Sequence, residues 1–305
     1  MAKPSSSSSS KRSSKSSASA SGSGDGAAAP ADRQPFELIR RGVKKPSPAG
    51  TALFIALRAL DVPLQYQLVS GAWSVPLLGR LGLAAARPVV TTVAHTGVAA
   101  IDRLRLSRPG LVLLVMAAGS AAKHALWVGF ISLEEFRPPA AAVVAGFNSF
   151  FNSVNSLLLV AAVTSTSVSG PFVPVNHPKL GGKFYVPVQL AVGLGLYVVG
   201  MGLELVSEVQ RRRFKSKPEN KGRICRKGLW GVARHINYTG YALWRTGFTL
   251  AAGGWIPGAV AALFNAWSFV ARSTPELEAY MSRKYRDSWS KYKRDVKWLL
   301  LPGIY

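Results

Sequence analysis

The sequence predicts an all-α protein, a polytopic membrane bundle of about five to seven spans behind a disordered tail. Three observations lead there. The 305 residues are 48% hydrophobic, with a mean hydropathy of +0.17, yet carry a formal net charge of +24. That mixture is characteristic of chains in which charge and apolar residues are segregated along the sequence. Several apolar runs reach the roughly 20 residues a spanning helix needs, and Lys and Arg cluster in the stretches between them.

Residues 1–34 hold Ser runs, Ala and scattered basic residues, with almost nothing able to form a core, and are expected to be a solvated tail. A Ser-rich, basic, acid-poor start also fits an organelle transit peptide, but no Arg-rich amphipathic helix and no apolar signal region accompany it. Residues 35–180 are expected to form N-terminal membrane helices and 181–305 a second membrane domain. Between Thr51 and Ile101 the apolar segments are weak, broken by Arg58, Asp61, Pro63, Arg80 and Arg87, and supply one or two helices. Gly110–Ser132, Ala140–Thr166 and Tyr185–Val206 are the clear spans. Tyr241–Val270 is interrupted by "AAGGWIPG", whose Gly and Pro predict a turn between two short helices in a re-entrant or spanning hairpin.

The loop from Glu208 to Arg234 carries ten Lys and Arg against two Glu, and the tail after Val270 is again basic. The positive-inside bias places both in the cytosol. The basic stretch "DRLRLSRP" (102–109) conflicts with this, because three crossings separate it from the Glu208 loop. Either a segment is re-entrant or the bias fails locally. Nucleic acid is not the expected partner: these cations flank spans, where lipid headgroups account for them. Cys225 is the single cysteine, so an intramolecular disulfide or a Cys-based zinc site is excluded and no metal is expected.

Polar residues inside the spans are the next signal. Asn148, Asn152 and Asn155 recur at helical spacing beside Ser149, Ser153 and Ser156, giving one polar face. That face serves either interhelical hydrogen bonding or the wall of a cavity that orients a lipid-like substrate. Lys123 and His124 sit mid-span, where charge is costly and often functional. Glu134 and Glu135 lie at a span boundary, and Glu204 on the last turn of a span.

The segment "GLWGVARHINYTGYALWR" (228–245) gathers Arg234, His235, Asn237, Tyr238, Tyr241 and Arg245 at the mouth of an apolar helix. With "NKG" (220–222) before it and "KYKRDVKWLLLPGIY" closing the chain, it resembles the C-terminal domain of the steroid 5-alpha-reductase superfamily. That superfamily includes the sterol C14 and C7 reductases and the DUF1295 group. The resemblance runs from about Tyr185 to Tyr305, roughly 40% of the chain. It implies a membrane-bound reductase using NADPH, with Lys221, Arg223, Arg234, His235, Asn237 and Tyr238 around the cofactor. Arg supplies planar donors for phosphates, and Asn and Tyr fix amides or hydroxyls. This sequence departs from the family's usual "RHPNYxGE/D" at Ile236, in place of Pro, and at Tyr241, in place of the carboxylate. Glu204, Tyr241 and Tyr185 are the candidate catalytic acids.

A similar "RHPxYxG" occurs in isoprenylcysteine carboxyl methyltransferases and phospholipid methyltransferases, which use S-adenosylmethionine. The expected function is therefore reduction of a carbon–carbon double bond in a sterol-like or other lipid, in the endoplasmic reticulum membrane. Methyl transfer to a lipid or prenylcysteine, and a non-catalytic membrane protein on the same scaffold, stand as alternatives. The partners are the bilayer and an apolar substrate; the oligomeric state is left open.

Overall fold

The computed structural model describes residues 43–178 and 182–305, so the expected tail at 1–34 lies outside the described residues. Four described helices are long and apolar enough to cross a membrane: α1 (Pro48–Val69), α5 (Arg108–Leu126, extended by a π-helical turn to Ile131), α6 (Pro138–Val160) and α7 (Val188–Ser216). Three of them carry a proline in the first two helical positions, where its fixed φ and missing N–H suit the first turn. Short helices α2 (Ser74–Arg80), α3 (Arg87–Val90) and α4 (Ala99–Asp102) fill the connection from α1 to α5.

The expected hairpin is present. α8 (Ile236–Gly253) and α9 (Trp255–Ser268) are joined at Gly254, where φ is +81° and only glycine is comfortable. α10 (Thr274–Tyr285) and α11 (Asp287–Asp295) follow. One element was not expected: β1 (Phe172–His177) pairs antiparallel with β2 (Gly182–Pro187), with Val175 opposite Phe184. Tyr185 therefore stands in a strand rather than at the start of a span.

α7 and α8 form the closest pair. A Cβ placed on Gly193 would lie 2.5 Å from Gly247 O, one on Gly200 2.4 Å from Trp244 N, and one on Gly240 2.5 Å from Glu204 N. Gly193 and Gly200 are seven residues apart, as are Gly240 and Gly247, so each pair repeats after two turns on one helix face. Small residues of this kind let membrane helices approach backbone to backbone. The consequence for function is positional: Glu204 on α7 is fixed against α8 at Gly240. Above and below this seam, Tyr197, Trp244 and Phe248 pack with Leu113, Met116 and Leu159 into the main core.

The polar faces of α1 and α6 also meet. Arg58 donates to Asp61 at 2.9 Å and to Ser120 at 3.1 Å. Gln65 and Asn152 donate to the two Asp61 oxygens at 2.8 and 2.7 Å, and Ser156 donates to Gln65 at 2.7 Å. Arg58 and Asp61 are 1% and 2% exposed, so this is a buried, charge-balanced network rather than a surface ion pair.

Candidate active site

Two regions carry chemistry, one at the basic end of α7 and α8 and one within the bundle. At the basic end, α7 runs past its apolar stretch to Ser216, and the loop behind it is pinned by polar contacts. Trp230 Nε1 donates to Ser207 O at 2.7 Å, and Leu229 N to Gln210 Oε1 at 2.9 Å. The motif residues then face inward. Asn237 donates to Glu208 at 2.9 Å, whose other oxygen accepts from Arg211 at 2.8 Å. Arg234 donates to Val296 O and Lys297 O at 2.8 and 2.9 Å, tying the C-terminal segment down. His235 Nε2 lies 3.2 Å from Glu278 Oε1, and Tyr238 is stacked between His235 and Phe269.

Burial alone would raise the Glu278 carboxyl, but the His235 hydrogen bond, the Arg234 and His235 charges and the Trp289 N–H together hold it below the usual carboxylate range. Glu278 thus stays ionised as the hinge between α10 and the motif.

Beside this assembly is a cleft of about 790 Å³, lined on one side by Arg213, Lys217, Arg223, Arg226 and Lys227 and elsewhere by Phe214, Asn220 and Ser288. Glu219 is the one carboxylate among its lining residues. Gly222, at φ +77°, turns the loop so that Arg223 enters the lining; Lys221 stands exposed next to it. Of the six residues expected around a cofactor, Arg223 lines this cleft. Arg234, His235, Asn237 and Tyr238 are not among its lining residues and are engaged instead with Val296, Lys297, Glu278, Glu208 and Phe269; the link to the cleft runs through Trp289, which packs on both His235 and Ile224. The neighbouring Cys225 thiol is pushed up by burial, and it is a free cysteine.

Within the bundle, Lys123 pairs with Glu204, and Trp244 Nε1 donates to the other Glu204 oxygen at 2.7 Å. Arg245 donates from Nη2 to Asn148 Oδ1 and from Nε to the Tyr241 hydroxyl at 3.2 Å. Asn155 accepts from Thr249 at 3.0 Å. The structure therefore brings Glu204 and Tyr241 to the same indole, since the Tyr241 and Trp244 rings are 5.2 Å apart. Tyr185 is elsewhere: it is 62% exposed in β2, just before α7, and Glu204 lies some 16 residues along that helix, about 24 Å at 1.5 Å per residue. Asn148, Asn152 and Asn155 are all buried on one face, and their amide partners come from Arg245, Asp61 and Thr249. In the sequence Arg58 and Asp61 read as breaks in a weak segment. Their spacing with Gln65, at i, i+3 and i+7, was the available sign of a polar helix face. Among the described residues no group of three His, Cys, Asp or Glu is arranged to hold a metal ion.

Residues 144–296 match a family described as a protein of unknown function, DUF1295. The match takes in α6 from Val144, the β-hairpin, α7, the basic loop, the motif and the helices after it. The chain belongs to the DUF1295 family. Within and around this family its relatives carry two kinds of name. A "Probable O-methyltransferase ustE" of Ustilaginoidea virens is 35% identical over 280 residues, covering 90% of this chain and 93% of that protein. A Delta(14)-sterol reductase of Neurospora crassa is 31% identical over 175 residues, covering 42% of this chain and 35% of that protein. A Delta(14)-sterol reductase of Arabidopsis thaliana is 26% identical over 128 residues, 38% of this chain and 34% of that protein. The sterol reductases are thus matched over about a third of their length, while the DUF1295 chain and the methyltransferase-named relative correspond almost end to end.

Proposed function

We propose that this DUF1295 protein is a membrane-embedded, NADPH-dependent reductase of a carbon–carbon double bond in a lipid substrate. The observation that carries the reading is the charge of the cleft. NADPH bears a pyrophosphate and a further phosphate, and five lining cations, of which Arg226 is paired with Asp295, against one lining carboxylate suit such a polyanion. S-adenosylmethionine, whose sulfonium and ammonium outweigh its carboxylate, gains nothing from them. When bound, NADPH supplies a hydride to one alkene carbon.

The chain's own residues do the rest. Arg213, Lys217, Arg223 and Lys227 hold phosphates at the cleft, while Arg226 is tied to Asp295 and Ser288 O, and the Asn237–Glu208–Arg211 and His235–Glu278 contacts hold α7, α8 and α10 together. Glu204 is committed to Lys123 and Trp244, which makes it a positioning group. Tyr241 accepts from Arg245 and so has its own hydroxyl proton available for the carbon next to the site of hydride attack. Tyrosine thus takes the acid's place in this chain. The apolar substrate enters from the bilayer, and the basic loop 208–234 and the C-terminal segment face the cytosol of an endoplasmic reticulum membrane.

Arg223→Glu tests the cleft directly, because Arg223 is exposed and its loss leaves the fold intact. Hydrogen bonds between charged partners contribute about 1.5–3 kcal/mol, so the NADPH Kd is expected to rise about ten- to a hundredfold. The same Kd should climb with ionic strength in the wild type. An unchanged Kd would remove the cleft from the account. Methyl transfer from S-adenosylmethionine is the second reading, favoured by the end-to-end relationship to the protein named a probable O-methyltransferase.

A further inference from the structure

Among the described residues the bundle interior holds three cations, Arg58, Lys123 and Arg245, of which two have a carboxylate: Arg58 pairs with Asp61 and Lys123 with Glu204. Arg245 has none among the described residues, although it is only 5% exposed. Its polar partners are neutral, Asn148 and the Tyr241 hydroxyl, and its guanidinium also lies 4.4 Å from the Trp244 ring centroid. Aromatic faces offset part of the cost of desolvating a cation. They do not satisfy its N–H groups, and Arg245 Nη1 is buried without a hydrogen-bond acceptor. Arg58 Nε and His124 Nδ1 are orphaned in the same way. These atoms belong to one neighbourhood. Arg58 and Arg245 reach α6 at the adjacent residues Ser149 and Asn148, and the His124 ring lies 6.1 Å from that of Trp244.

Aromatic rings separate this neighbourhood from the lipid-facing surface of α6 and α9. Arg245 lies 5.8 and 5.9 Å from the Phe147 and Phe151 rings of α6, and Phe151 meets Phe264 of α9 at 6.2 Å. Phe147 and Phe264 are about half exposed, and α9 turns most of its apolar side chains outward, as a helix facing acyl chains does. An apolar chain passing between α6 and α9 therefore meets three phenyl rings and, behind them, an uncompensated guanidinium.

We propose that Arg245 is the anchor for the carboxylate of an amphiphilic acid, so that the substrate of this protein is an unsaturated lipid carrying a carboxyl group. A planar carboxylate matches the free Nη1 edge of the guanidinium, and its negative charge balances the interior. The ion pair also places the acid's apolar body beside Tyr241. The inference rests on reading the bundle interior as the substrate chamber, and the nucleotide cleft is independent of Arg245.

The test uses the full chain in lipid nanodiscs and three radiolabelled acids of different shape, oleate, farnesoate and lithocholate, each competed with its unlabelled methyl ester and with oleyl phosphate. At least one acid is expected to bind saturably and to be displaced by its own unlabelled form but not by its ester. Arg245→Gln should weaken that binding about tenfold or more, as loss of a charged hydrogen-bond partner does, and Arg245→Lys should recover part of it. NADPH binding, measured in the same samples, stays unchanged and reports that each variant is folded. No saturable binding of any acid, equal displacement by the ester, tighter binding of oleyl phosphate, or an unaltered affinity in Arg245→Gln overturns the proposal. Failure of NADPH binding in the wild type alone strikes the reductase reading and leaves the anchor standing.

Discussion

Gly200→Ala is expected to unfold or loosen the α7–α8 pair, lowering stability by about 3 kcal/mol, the upper end of ordinary overpacking. The new methyl would stand 2.4 Å from Trp244 N and 2.6 Å from Gly240 O, and backbone atoms cannot rotate aside as a side chain can. The control is on the same helix. Gly202 has nothing within 4 Å of a built Cβ, so Gly202→Ala should be neutral or stabilising by about 0.5–1 kcal/mol, the gain of replacing a mid-helix glycine. Thermal unfolding of the two variants in one detergent, followed by tryptophan fluorescence, separates them; equal melting temperatures would mean the seam is not close-packed. The same displacement would move Glu204 away from Gly240, so any ligand reading of the motif would weaken with it.

Asp61→Ala should cost about 3–5 kcal/mol, because it leaves the Arg58 charge buried without its partner. It also strips an acceptor from Gln65, which keeps Ser153, and from Asn152. Replacing both ions by leucine, Arg58→Leu with Asp61→Leu, is expected to cost far less than Asp61→Ala, since no unpaired charge remains. Melting of this double variant and of the single variants Arg58→Leu and Asp61→Leu closes a double-mutant cycle. A double variant as unstable as Asp61→Ala would show that the network's hydrogen bonds, rather than the ion pair, hold these helices together.

The spans at α5, α6 and α7 were legible because each is a long run of apolar residues, and the hairpin because Gly253, Gly254 and Pro257 interrupt one. Their ends were less so. α7 continues ten residues past Val206 into Arg211, Arg212 and Arg213, which are good helix formers and are supported by the Glu208–Arg211 pair. α6 stops at Val160, six residues before the apolar reading ends, where "TSTSVSG" supplies hydroxyls that cap turns instead. α1 was legible only as a weak segment, because a hydropathy reading counts Arg58 and Asp61 as two costs, whereas in space they cancel. The β-hairpin depends on six-residue strands containing Pro174 and Pro187, too short for a period to declare itself.

The candidate site was legible as a motif and not as a geometry. Nothing in "RHINYTG" says that Arg234 is spent on the carbonyls of Val296 and Lys297, sixty residues on, or that Gly240 serves α7 rather than a ligand. The cleft's cations come from a loop whose charge alone reads equally well as a membrane-flanking stretch. What distinguishes them is that Arg213, Arg223 and Arg226 converge on one hollow, which requires the turn at Gly222 and the packing of Ile224 on Trp289.

The central claim is that this hollow selects an anionic dinucleotide. The most direct measurement is a parallel titration of the purified, nanodisc-embedded chain with NADPH and with S-adenosylmethionine at low ionic strength, each followed by calorimetry. The account predicts saturable NADPH binding that weakens as salt is raised, with S-adenosylmethionine binding far more weakly or without saturation. Preferential, salt-insensitive binding of S-adenosylmethionine would contradict it and move the protein to the methyltransferase reading, and binding of neither would leave a DUF1295 scaffold without this cofactor.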